Sequence, residues 1–570
     1  MADCPDGRIS FVLVDNNSIF DTSDPDLDAR FRWVYTAANS LHVRTRQWVI
    51  RQELLFRAGD CYDPFLLAES ERLLRGYPFL ARVNVYGVEQ SDGSHHVIVD
   101  THDEWSTRFD VRFRVDNGFR LEGVRLSEVN FLGMGQALGV FWQEREVTRD
   151  YGISYWTPQI GRTRWDLTAS LGRTRSGWFA REQVAYPFVG EVGHWAGRES
   201  FSRDDQFFNY IANDDPAEDS PHILRRQLEK LFEASLLHRF GDRGRAVLAG
   251  VGLTGHSLDH SGPVQVAPHG DFDERSPADS TDVAAIASQS QTRRAVRLHG
   301  LLGLRDIGWV KKRGMDSMRG EEDVRLGFEL GADLGRSLAA FGDDDLTLAT
   351  IIYGATQLGD ALFIARGRLD ALYWFRSPPT VSSWQDVVAD AETFVYFRAG
   401  PASRHTLLFR SGMAGARNTR TPFQLTLGGE TGVRGYGRER FPGGRRMVLT
   451  LEDRIYIGWP LHDVWDSGLT LFVDAGRTWP GDVPFGIDSG WRASAGAGLR
   501  LSFPADSRTT YRLDFAWPVG RGHSLADLQF RFSLGELIGI GNANTNLQFR
   551  RSRTEGVAAD LFRFSSLQGS

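Results

Sequence analysis

The sequence of 570 residues contains no run of eighteen or more apolar residues, so no membrane-spanning helix is expected. That absence leaves a transmembrane β-barrel open, because a barrel shows only alternating segments of about ten residues. Cysteine is scarce. Cys4 and Cys61 are too few for a metal signature; they are either one disulfide of an oxidising compartment or two separate thiols. Basic residues are not in excess: the formal net charge is −7, which argues against a general nucleic-acid binder. The start, Met1-Ala2-Asp3-Cys4-Pro5-Asp6, has no basic segment and no apolar stretch of the kind that directs secretion. The chain is therefore read as cytoplasmic or as the processed form of an exported protein, with the second reading favoured. Motifs of enzyme chemistry are also missing: there is no G-x-S-x-G, no P-loop, no H-E-x-x-H and no cluster of His and Cys. Ser94-His95-His96 falls on a hairpin and reads as a solvated turn. No enzyme activity, cofactor or metal is expected.

What is present is glycine (61 residues) and aromatic residues (12%) in a chain of negative mean hydropathy, so apolar and polar residues must interleave finely. Residues 8–104 read as a small mixed domain. Ile9–Val14 is a strand, Thr45–Phe56 has helical spacing, and a second helix starts at Asp63-Pro64 and runs to Gly76. Two strands follow, Leu80–Val88 and His96–Thr101, joined by the turn Ser91-Asp92-Gly93. From about Trp105 the pattern changes to period two. In Trp491–Phe503, Arg492, Ser494, Gly496, Gly498, Arg500 and Ser502 share one face, and alanine, leucine and phenylalanine share the other. In Tyr511–Trp517, Arg512, Asp514 and Ala516 lie opposite Tyr511, Leu513, Phe515 and Trp517. Polar faces holding arginine, aspartate and glycine over many strands suit a barrel with lipid outside and a wet lumen. A soluble β-protein with its apolar faces inward would show the same alternation. Two polar stretches, Asp259–Thr292 and Lys311–Glu322, read as long surface loops, and Gly193–Pro221 as strands or a loop.

Two stretches carry a family resemblance. Arg51-Gln52-Glu53-Leu54-Leu55-Phe56 with Gly59-Asp60, and Glu69–Leu74 followed by Tyr77-Pro78-Phe79-Leu80, resemble a POTRA domain, with a longer insertion from about Asp21 to Val43. Leu427-Gly428-Gly429-Glu430-Thr431-Gly432-Val433-Arg434-Gly435-Tyr436-Gly437 resembles the lumen-loop signature of the BamA/TamA family of outer-membrane proteins. Asn130-Phe131-Leu132-Gly133-Met134-Gly135 and Ala185-Tyr186-Pro187-Phe188 are similar to further family segments. The resemblance implies a POTRA-like βααββ domain (1–104), a mainly β transmembrane antiparallel barrel of sixteen strands (105–537) with a lumen loop (415–446), and a tail (538–570). More strand candidates precede the glycine loop than sixteen strands would allow.

It further implies that Gly428, Gly429, Val433, Arg434, Gly435 and Tyr436 form a latch inside the barrel, with Arg434 on acidic residues of the next two strands. Parity agrees. Glu452 falls on the lumen face of Met447–Ile457, and Asp474 and Gly476 on the lumen face of Leu469–Gly476. The implied function is assembly, insertion or translocation of client proteins at the bacterial outer membrane, the N-terminal domain lying in the periplasm. Clients would pair with the edge strand carrying Val83, Val85 and Val88. Secretion of one dedicated partner, or a barrel scaffold or porin without insertase activity, are the alternatives. Implied partners are outer-membrane lipids, unfolded clients and periplasmic or inner-membrane accessory proteins. The tail, with Arg550-Arg551-Ser552-Arg553, is read as disordered, plugging the lumen or covering the seam between first and last strands.

Overall fold

A computed structural model describes residues 4–20, 22, 29–115, 119–145, 148–212, 220–429, 432–458, 464–505, 507–520, 527–534 and 561–562. The basic run at 550–553 lies outside these. Near the N-terminus come the strand Ile9–Asn17, helices Gln47–Glu53 and Pro64–Arg75, and strands Leu80–Glu89 and His95–Asp103. His95–Asp103 is central, parallel to Ile9–Asn17 and antiparallel to Leu80–Glu89. Ile9, Val14, Phe79, Val83, Val97 and Val99 pack against Ile50 and Leu74 of the helices. Helix Pro64–Arg75 starts on Asp63, whose carboxylate accepts from the Phe65 N–H at 2.9 Å, with Pro64 where no N–H is needed. A disulfide joins Cys4 to Cys61.

The stretch read as an insertion holds a helix, Arg32–Leu41, with no start signal in sequence: the residue at its cap is Phe31, which makes no capping bond. Tyr35 and Ala38 of this helix bury against Phe20 and, on a barrel turn, Val464.

Twenty long strands, from Thr107–Val115 to Gln529–Leu534, form an antiparallel barrel that closes among the described residues. This corrects the sixteen implied by resemblance. Alternation marks each strand, but strand number is set by the tilt and stagger of the closed sheet, which no single strand records. Several strands run well past the membrane-spanning length. His222–Asp242 and Arg293–Arg313 have 21 residues each, against about ten needed to cross a bilayer. Gly193–Pro221 is mostly one such strand, Trp195–Ile211.

Burial separates the two faces. Leu298, Leu302, Ile352, Leu451, Leu471 and Val473 stand exposed on the outside. Arg297, Arg305, Glu392, Glu452, Asp474 and Asp514 are buried on the inside. Trp165, Trp178, Trp195, Trp384 and Trp491 lie exposed at or beside strand ends, where amphipathic rings suit a membrane interface.

The two polar stretches fare differently. After His260 the chain makes a loop with a short helix, Ser280–Ala287, at the end away from the N-terminal domain. Lys311–Glu322 is not a long loop: it is two strand ends and a turn, 314–320, at the end facing that domain. Part of its charge is tied up in ion pairs, Lys311 with Glu71 of the N-terminal domain and Arg313 with Glu321 across the turn. The turn folds inward, burying Met315 and Met318.

Candidate functional site: a latched loop in the barrel lumen

The chain between strands His405–Arg417 and Arg445–Tyr456 turns back into the lumen. Short strands Leu425–Leu427 and Phe441–Gly443 pair at its base. The turn between them is tight: the Gly429 N–H donates to the carbonyls of Val433 (3.1 Å) and Tyr436 (3.0 Å). Gly428 and Gly429 have φ of +126° and +55°, a region that favours glycine. Val433 is buried with Leu427 and Val448, and Tyr436 meets Phe441 edge-on at 5.5 Å.

Arg434 is the centre of this loop. Its Nε and Nη2 donate to the two carboxylate oxygens of Asp474 at 2.7 and 2.9 Å, a bidentate pair. Nη1 donates to Glu452 at 3.0 Å and to Asp514 at 3.4 Å. The guanidinium lies 3.4 Å from the centroid of the Phe472 ring, so one face is covered by π-electrons. Glu430 and Thr431 lie outside the described residues.

Two glycines permit this depth. A side chain at Gly476 would meet Leu427 and Val433 of the loop. One at Gly435 would meet Ser494 and the backbone at Trp517 of the wall. Thus Gly428, Gly429, Val433, Arg434, Gly435 and Tyr436 lie together, with Glu452, Asp474 and Gly476 on the wall they touch.

Sequence reasoning missed the rest of the charge network. Arg512 donates to Glu452 at 2.9 and 3.1 Å and to Asp514 at 2.8 Å. Arg454 donates to Glu452 at 2.8 Å and to Asp316, on the inward turn 314–320, at 2.9 Å. Parity placed Arg512, Asp514 and Arg454 on lumen faces; it did not show which would meet. Asp316 has no signal in sequence, because a polar stretch such as Lys311–Glu322 reads as an outside loop.

The family-like hairpin at Asn130–Gly135 is a docking turn. The Asn130 amide donates to Thr45 Oγ1 at 2.8 Å, the Arg46 N–H donates to the Gly133 carbonyl at 2.8 Å, and Gly135 packs on Phe79 and Val49. At another turn Arg243 donates to Asp63 at 2.8 Å. Burial pushes the Asp63 carboxyl up, but Arg243 and the Phe65 N–H hold it below its usual value.

In the N-terminal sheet, Leu80–Glu89 is an edge strand. Val83 and Val85 turn into the core, Val88 is exposed, and the Val85 N–H is already bonded to Glu71 at 3.1 Å. The tail reaches the lumen: Leu561 and Phe562 are buried with Phe188, Leu237, Leu248 and Leu301.

Among the described residues no group of three or more His, Cys, Asp or Glu is placed to hold a metal ion. Among curated proteins, none matches the chain in sequence. Two solved structures are similar over most of the chain. BamA from Haemophilus ducreyi lacking POTRA domains 1–3 is 14% identical, with 92% of this chain and 84% of that one covered and a TM-score of 0.38. CdiB from Escherichia coli is 12% identical, with 93% and 76% covered and a TM-score of 0.44. Likeness at this level carries no argument by itself. The sequence match falls instead on the part of the barrel that holds the latch: residues 388–537 match the Omp85 superfamily domain.

Proposed function

We propose that this protein inserts client polypeptides into the outer membrane through the seam between its first and last barrel strands. The observation that carries this reading is the seam itself. Gln529–Leu534 registers with Tyr511–Val519 over six residue pairs, Tyr511↔Leu534 to Ala516↔Gln529. With Thr107–Val115 on its other side it registers at one pair among the described residues, Arg531 with Arg114. Among the described residues few ladder pairs hold this junction, and an opened edge is a template for another strand. Ring contacts supplement it: Phe113 lies 6.0 Å from Phe530 and 6.4 Å from Phe532.

The lumen is occupied from both ends, by the Arg434 loop and the turn 314–320, and also by Leu561 and Phe562. That favours the seam over the lumen as the route and disfavours an open porin. The latch is structural, and the protein acts as a transporter or insertase rather than an enzyme. Its N-terminal domain lies in the periplasm, where the Cys4–Cys61 disulfide suits an oxidising compartment. Clients add to the edge strand Leu80–Glu89 by backbone pairing; at Val85 this requires Glu71 to let go of the N–H.

The test is reconstitution into liposomes with an unfolded outer-membrane barrel as client. Cysteines at Phe113 and Phe532, which the Arg531–Arg114 register sets opposite each other, would lock the seam. Insertion should stop on oxidation and return on reduction. Equal insertion by locked and unlocked protein would overturn the seam as the route, and no insertion by the unmodified protein would overturn the function.

A further inference from the structure

A cleft of about 1000 Å3 lies where the N-terminal sheet meets the barrel mouth. In a protein of net charge −7 its lining is strongly basic. Arg75, Lys311, Arg313 and Arg319 are ion-paired, with Glu71 and Asp323, Glu71, Glu321 and Asp466. Arg82, Lys312, Arg398 and Arg404 make no ion pair among the described residues. Arg82 bonds to His102, and Arg398 to the carbonyls of Arg313, Pro401 and Ser403. The acidic lining residues are Glu321 and Asp360. Cations left without carboxylates in a shared cleft form a field that attracts anions.

The walls decide what kind of anion fits. One wall is the edge strand of the N-terminal sheet, at Ala81, Arg82 and Asn84. The other is the lumen side of the barrel, where Leu362 and Tyr396 are buried beside Met318 of the inward turn. The cleft therefore lies inside the ring of outward leucines that meets lipid. It also sets an apolar strip next to the cations. We infer that this cleft receives an extended polypeptide segment alternating acidic and apolar residues, the form in which clients of this protein reach the barrel. On an extended chain alternate side chains point to opposite sides, so such a segment can offer carboxylates to Arg82, Lys312 and Arg404 and apolar groups to Leu362 and Met318. The inference rests on the client-insertion reading and adds a charge preference to it.

The test uses the full-length protein in nanodiscs of zwitterionic lipid and a fluorescein-labelled peptide alternating Glu and Val, followed by anisotropy. The Glu-Val peptide should bind, and a Gln-Val peptide should bind much more weakly. Reversing two unpaired cations, Lys312→Glu with Arg404→Glu, should weaken Glu-Val binding about tenfold or more, with an intermediate loss for the double Gln variant. Arg245→Glu, on a different turn of the same end, should leave it unchanged. Equal binding of the Glu-Val and Gln-Val peptides would overturn the inference. So would binding of short-chain phosphatidylglycerol with none of the Glu-Val peptide, which would assign the cleft to lipid. Client insertion separates the two readings. If the double Glu variant still inserts acidic and neutral clients at wild-type rates, the charge preference fails and the insertase reading stands.

Discussion

Two segments enter the barrel from opposite ends and meet the same strand, Arg445–Tyr456, by different means. The glycine loop brings a buried arginine, Arg434, to Glu452 on that strand. The turn 314–320 brings a partly exposed carboxylate, Asp316, to Arg454 two residues further on. Around Arg434 every side chain that accepts its hydrogen bonds is a buried carboxylate, so loss of the arginine leaves Asp474 and Glu452 buried with a cation fewer. Around Asp316 much of the grip is apolar: Met315 packs with Leu362, Ile364, Phe394, Tyr396 and Leu408. The lesson is that the loop is held by a network that fails as a unit, whereas the turn is held by parts that fail singly.

The largest effect should come from Arg434→Ala. Breaking one partner out of a buried ion network costs about 3–5 kcal/mol. Heat-modified mobility on gels should shift to lower temperature, and the loop should become open to protease. Wild-type behaviour in both would erase the contrast between the two segments. Met318→Ala should come next, at about 2–3 kcal/mol for a buried Met truncated to a cavity, read from the same melting series. Asp316→Asn should cost less, about 1–2 kcal/mol, since the Asn oxygen can still accept from Arg454 and Tyr396. A loss as large as that of Arg434→Ala would mean that the turn is also held by its charge. Arg313→Ala, which removes the pair with Glu321, should shift melting by no more than about 0.5 kcal/mol, because Arg313 is 67% exposed. Pairing the first change with the third in a double-mutant cycle would show whether Glu452 and Arg454 couple the two segments.

Near the turn, Arg75 of the N-terminal domain bonds to Asp323 at 2.8 Å, and Lys311 bonds to Glu71, which also holds the Val85 N–H. The edge strand proposed for clients and the barrel wall therefore share one carboxylate. On the proposed route, a client that takes the Val85 N–H would release Glu71 to its cations.

The sequence by itself determined the faces. Side chains on a strand alternate, so Glu452, Arg454, Asp474, Arg512 and Asp514 had to share the side opposite Leu451, Leu471 and Leu513. It also marked where the chain could turn through positive φ, at Gly428 and Gly429, and where helix Pro64–Arg75 could start, because Asp63 and Pro64 act within one turn. These are local constraints, and local constraints are legible in order along the chain. Tertiary structure alone decided the number of strands, which follows from closure of the whole sheet. It alone placed the helix Arg32–Leu41, which lacks a capping signal and is held by Phe20 and Val464. It also turned 314–320 inward, since a charged turn looks the same in sequence whether it faces water or a buried arginine. Which charges meet is likewise a fact of packing: parity put Arg512 and Asp514 in the lumen, but only the curvature of the closed wall brings them to Glu452 and Arg434.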